Sequence, residues 1–184
     1  MSTDVVELIG NPRPGSRTRT LADTVTKLLV ARLATHGITL SGVTILELAD
    51  VVGVSFSADA PARGSVGIRD PFGAVRSARL LVVATPTYKG SFTGLLKIFF
   101  DQYRPDDLTG TVAVGVAVAA SDDHLRQVAP ALDALLVAVD AEVPAVSVAL
   151  LELQLADAEH IVAEWVDKHV EAIAEALRRS GPRA

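Results

Sequence analysis

Leu80-Leu81-Val82-Val83-Ala84-Thr85 is a continuous apolar run that ends in a threonine and is followed at once by Pro86. A strand covered by helices on both faces reads this way, because no side of it meets water and no polar alternation is needed. The rest of the chain repeats the same theme in both directions. Upstream, Val5-Val6-Glu7-Leu8-Ile9 is a first strand, and Leu21, Ala22, Val25, Leu28, Leu29 and Leu33 mark one face of a helix that Gly37 closes. Ile38 to Leu48 supplies a second strand. The stretch from Ala49 to Gly73 reads as loop, with a brief helix over Pro71 to Ser77 at its end.

Downstream, a helix is expected near Thr93 to Tyr103 and a fourth strand over Thr111 to Ala119. Asp122 and Asp123 are N-cap candidates for a helix with Leu125, Val128, Leu132, Leu135, Leu136 and Val139 inside. Glu142 to Leu150 gives a fifth strand, and Ile161, Trp165, His169, Ile173 and Leu177 line the last helix at a spacing suited to burial. Strands that alternate with helical segments define βαβ units. Five strands and five helices fit a doubly wound α/β plan of flavodoxin-like type: a parallel sheet in the order 2-1-3-4-5 with helices on both faces.

Composition agrees with that plan. Hydrophobic residues make up 49% and aromatics only 4%, so Val, Leu, Ile and Ala must fill the core. A chain of 184 residues without a compositional break is expected to form a single domain over 1–184. The absence of cysteine excludes a disulfide scaffold, a thiolate nucleophile and any sulfur-ligated metal site. With 17 Lys and Arg against 22 Asp and Glu, the net charge of -5 offers no global field for nucleic acid, so an anion site must be local. No secretory leader and no membrane-spanning run is legible, and a cytoplasmic location is the expectation. Four scattered histidines without the close carboxylate spacing of a ligand set make a metal site unexpected; His36, His160 and His169 receive no role, and His124 is expected to face solvent in the first turn of a helix.

Ligands of doubly wound sheets bind beyond the carboxyl ends of the strands, where strand order reverses. The loop after strand one reads Gly10-Asn11-Pro12-Arg13-Pro14-Gly15-Ser16-Arg17-Thr18. It contains neither G-x-G-x-x-G nor a terminal G-K-[ST]. It does combine a tight turn, two hydroxyls, a guanidinium and a helix N-terminus, the ingredients of a phosphate cradle. Spacing alone leaves an ordinary βα turn equally open, with Ser16 as cap and Arg13 and Arg17 as solvated charges. The loop after strand three reads Pro86-Thr87-Tyr88-Lys89-Gly90-Ser91-Phe92-Thr93-Gly94-Leu95-Leu96-Lys97. Its glycines permit close backbone approach to a flat heteroaromatic ligand; the alternative is a plugging Tyr88 and a plain turn at Gly90.

Taken together, the two loops resemble those of the NAD(P)H-dependent FMN reductases, approximately G-S-x-R-x-x-S-x-[ST] and T-P-x-Y-x-x-S-x-x-G-x-L-K. Within that family the chain is most similar to the flavin reductase components of two-component monooxygenases, such as those acting on alkanesulfonates. The resemblance implies FMN and NADPH or NADH as ligands. It places the phosphate at Arg13, Ser16 and Thr18, and the ribityl chain and ring along Pro86, Thr87, Tyr88, Lys89, Gly90 and Ser91. It further implies a homodimer or homotetramer joined through the helix Leu95 to Tyr103, in which Ile98-Phe99-Phe100 would suit burial, and a monooxygenase partner. No side-chain acid or base is required, because hydride passes between the two cofactors.

Two departures from the pattern stand out. Asn11 replaces the usual Ser but still donates and accepts hydrogen bonds. After strand four, Ala119-Ala120-Ser121-Asp122 lacks the frequent Gly-Gly pair, leaving Ser121 to meet a flavin carbonyl. FMN is therefore expected to bind with moderate affinity, as a substrate. A quinone or azo-dye reductase that retains FMN, an electron carrier and a non-catalytic flavin sensor are the alternatives.

Overall fold

A computed structural model describes residues 3–51 and 70–181. Strands β1 (Val5–Ile9), β2 (Val43–Glu47), β3 (Leu80–Pro86), β4 (Val112–Ala119) and β5 (Val148–Leu151) form one parallel sheet in the order β2-β1-β3-β4-β5. The helices are α1 (Arg17–Thr35), α2 (Leu48–Val51), α3 (Pro71–Ser77), α4 (Gly94–Phe100), α5 (Asp122–Ala138) and α6 (Ala158–Ser180), with a 3₁₀ turn at Glu152–Asp157. The expected order and doubly wound plan are thus present. Of the loop expected over 49–73, residues 52–69 lie outside the described residues.

Because successive side chains leave a strand on opposite faces, each strand feeds two cores. Val5, Ile9, Val82, Ala84, Val114 and Val116 pack with Leu21, Val25 and Leu29 of α1 and Val162, Val166 and Val170 of α6. Leu8, Leu81, Val83 and Ala113 pack on the other face with Leu96, Phe99 and Phe100 of α4 and Leu132 and Leu136 of α5. Glu7 interrupts the first face. It is 2% exposed, its Oε2 has no hydrogen-bond partner, and burial pushes its carboxyl up to about 7, aided by the neighbouring Asp23.

Several boundaries differ from expectation for identifiable reasons. Strand β2 begins at Val43 rather than Ile38, because residues 38–42 are a connection: Ser41 is tied to Asp4 through both main chain and side chain, and Gly42 turns at φ +68°. Strand β5 begins at Val148 rather than Glu142. Glu142 makes an isolated parallel bridge to Val112, and Pro144, which has no N–H, prevents the ladder from continuing. The cap of α5 is Ser121, whose Oγ accepts from His124 N at 3.4 Å. Asp122 and Asp123 instead occupy the first turn, where their charge complements the helix dipole. On α6 the innermost row is Val162, Val166 and Val170; Ile161 and Trp165 pack only at its border, and the partly buried His169 lies against the Trp165 ring at 4.9 Å.

Helix α4 ends at Phe100, before the expected Tyr103. Pro105 keeps Arg104 out of helical conformation, and the chain leaves through a turn at residues 101–102. The expected subunit face on this helix is corrected by the structure in part. Leu96, Phe99 and Phe100 point into the chain's own core, while Leu95 is half-buried and Ile98 is 43% exposed.

Candidate functional site

The carboxyl ends of β1 and β3 are joined before any ligand is considered. Gly10 N donates to Ala84 O at 2.7 Å, and the buried Thr93 hydroxyl donates to Gly10 O at 2.5 Å. Thr93 N in turn donates to Thr85 Oγ1 at 3.2 Å, so one residue anchors the third-strand loop to the first-strand loop. Gly10 also makes room for the helix beneath it: a Cβ there would lie 2.4 Å from Leu96 Cγ.

In the first loop, Asn11 is buried and its Nδ2 donates to Thr18 Oγ1 at 3.2 Å, while its Oδ1 accepts from Arg13 N at 2.9 Å. Ser16 caps α1 by accepting from Arg19 N. The turn is braced from the side, since Gly15 N donates to Glu47 Oε2 at 3.0 Å and Arg19 grips the other oxygen of the same carboxylate. The departure at Asn11 thus supplies the bond that fixes the loop. The Arg13 side chain is exposed and makes no bond among the described residues, whereas Arg17 is held by both oxygens of Glu152, at 2.9 and 3.0 Å.

In the third loop, Tyr88 and Ser91 exchange two main-chain bonds, N to O at 2.9 and 3.2 Å. Lys89 and Gly90 sit at the tip with φ +54° and +80°, the paired left-handed residues of a primed hairpin turn. Any side chain at Gly90 would be strained and would strike Gln127 Oε1 at 2.4 Å. Thr87 hangs from β4, its N and Oγ1 both donating to Val118 O at 2.9 and 3.0 Å. This arrangement pushes Tyr88 outward, 46% exposed, at the mouth of the sheet.

Between the two loops lies a cleft of about 390 Å³, lined by Asn11, Arg13, Ser16, Thr18, Pro86, Thr87 and Tyr88, with Val118, Ala120 and Glu152 beyond them. Its volume falls within the range of small-molecule sites, about 300–1,000 Å³. Of the residues expected from sequence, Arg13, Ser16, Thr18, Pro86, Thr87 and Tyr88 meet here. Lys89, Gly90 and Ser91 form the turn behind Tyr88, and Ser121 lies past the wall, with its hydroxyl engaged in the α5 cap. Asn11, Pro14, Arg17 and Glu152 belong to the lining without having been singled out as site residues. Glu152 follows β5 directly, so the rule that points to strand ends would have found it had it been applied to the fifth strand. Among the described residues no cluster of three or more His, Asp or Glu could hold a metal, and no helix is long and apolar enough to cross a membrane.

Fold and cleft together define a flavodoxin-like α/β protein with a cleft at the strand-order reversal. Residues 3–154 match the family described as NADPH-dependent FMN reductase, and the chain belongs to that family. It is 32% identical over 127 residues to the NADH-dependent FMN reductase SfnF of Pseudomonas putida; the match takes in 67% of this chain and 66%, just under two thirds, of that protein. Among solved structures it is similar to an oxidoreductase from Corynebacterium diphtheriae, with 27% identity, a TM-score of 0.70, and 95% and 99% of the two chains covered. A further likeness is to the apo form of the NADH:FMN oxidoreductase EMOB, with 25% identity, a TM-score of 0.71, and 94% and 89% covered.

Proposed function

We propose that this chain, acting as a single domain over 1–184, is an NAD(P)H-dependent FMN reductase that binds FMN as a substrate and releases it reduced. The observation that carries this reading is the junction of a phosphate-sized, donor-lined turn with an aromatic loop through Thr93, at the crossover of the sheet. The residues present suit FMN. Ser16 and Thr18 offer hydroxyls, α1 offers free N–H groups, and the unpaired Arg13 guanidinium can turn onto a phosphate without breaking a bond. When bound, FMN takes a hydride from the dihydronicotinamide and a proton from water, giving FMNH2 and NAD(P)+.

What remains for the protein is binding, orientation and exclusion of water. Pro86, Thr87 and Tyr88 border the ring, with Lys89, Gly90 and Ser91 holding Tyr88 in place and Ser121 at the pyrimidine end. No side chain carries a proton in this scheme. The product serves a flavin-dependent monooxygenase in the cytoplasm, and the chain pairs with copies of itself through Leu95 and Ile98, as homodimer or homotetramer.

The purified protein should be largely colourless and should oxidise NADH or NADPH only when FMN is added, followed by the loss of dihydronicotinamide absorbance. A yellow protein that keeps its flavin through dialysis and reduces quinones or azo dyes would overturn the substrate role. Arg13→Ala should weaken FMN binding by about 1.5–3 kcal/mol, the scale of a charge-assisted hydrogen bond, and leave riboflavin binding unchanged. Equal titration curves for FMN in the two proteins would remove Arg13 from the site.

A further inference from the structure

Among the described residues that line the cleft Glu152 is the one carboxylate, and it stands beside the turn read above as a phosphate site. Glu152 begins the 3₁₀ turn after β5 and reaches 135 residues back along the sequence to hold Arg17, the first residue of α1, in a two-pronged pair. Both side chains line the same cleft as Asn11, Ser16 and Thr18. The pair has two effects on a phosphate dianion. It occupies the guanidinium that stands beside the cup, and it adds a negative charge where the ligand already brings two. An ion pair with both partners largely in water is weakly held, so it yields to a stronger anion, but the carboxylate left behind then repels the newcomer. Arg13, by contrast, has nothing to give up.

We propose that Glu152 sets the affinity of the site for phosphorylated flavin: it competes with the ligand's phosphate for Arg17 and so keeps FMN exchangeable. This rests on the reading of the cleft as an FMN site and adds a residue whose role is to weaken binding. Glu152 is paired with Arg17 at the start of α1, so its influence is expected at the phosphate end. Moderate affinity then has a cause in the first-strand loop and the end of β5, separate from the missing glycine pair after β4.

The test titrates the wild type and Glu152→Gln with FMN and with riboflavin, with a thermal melt of each as a check on folding and Glu152→Ala as a second variant. Both variants should bind FMN about tenfold more tightly, bind riboflavin as the wild type does, and show a correspondingly lower KM for FMN. Unchanged or weaker FMN affinity, with the preference for FMN over riboflavin intact, would overturn the inference and leave the pair as a clamp between α1 and the end of β5. Equal tightening of FMN and riboflavin would overturn it as well. A wild type that does not distinguish FMN from riboflavin would overturn the phosphate site itself, a different failure visible before any variant is made.

Discussion

Phe99→Ala should cost about 3–5 kcal/mol of folding stability, the scale for deleting a buried aromatic ring that its surroundings cannot collapse to fill. Phe99 is 1% exposed and stacks on Phe72 at 4.8 Å and 12°, with the Phe100 and Tyr103 rings edge-on or tilted at 5.8 and 5.7 Å. Four rings in contact share the void left by one, and none can move without losing another partner. Urea unfolding followed at low and high protein concentration is the measurement. A core residue loses the same free energy at both, whereas a subunit-contact residue loses more at the concentration where the assembly forms. A loss below about 1 kcal/mol, or one that depends on concentration, would return Phe99 to the interface. Ile98, on the exposed side of the same helix, is the residue whose replacement should alter assembly.

Glu7→Gln should stabilise the protein above neutral pH by up to about 3 kcal/mol, from a shift of the carboxyl from 4.5 to about 7. The sign follows from which state holds the proton more tightly. The folded chain does, because burial under α1 disfavours the charged form and Asp23 adds repulsion, while Thr26 and Arg19 pull the other way. The contribution of Glu7 is therefore complete below about pH 4.5 and is lost as pH rises through about 7. Glutamine fills the same space and never charges. Stabilities of the two proteins should nearly coincide below about pH 4.5, separate as pH rises to about 7 and then keep a constant difference; the same gap at every pH would show that Glu7 ionises no differently in the fold.

Strand order and the two-faced core were legible because short apolar runs such as Leu80 to Thr85 alternate with segments of helical period, the pattern of βαβ units in a doubly wound sheet. The strand ends were less so. Residues 38–42 and 142–147 are as apolar as strand, and only the tie of Ser41 to Asp4 and the break at Pro144 show where pairing starts. On α4, five apolar residues in seven exceed one helical stripe, which suggested a partner subunit; part of that surplus is absorbed by Tyr103, four residues beyond Phe99, and part by Phe72 from a separate short helix, a contact no helical period encodes. That Arg13, Ser16 and Tyr88 would meet in one cleft could be anticipated, because loops at the strand ends of a doubly wound sheet converge where strand order reverses. The position of Glu152 at the end of β5 was within reach of the strand-end rule, but its pairing with Arg17 was not, since that depends on α1 and the end of β5 meeting across 135 residues of sequence.

The Thr93 hydroxyl that spans from the third-strand loop to Gly10 O makes both walls of the cleft parts of one stiff frame. A frame of this kind has little ordering entropy to surrender when a ligand arrives, so docking needs no preceding rearrangement of the walls. Substitutions lining the cleft should consequently act on how long a ligand stays, while the rate of arrival is left to diffusion and charge.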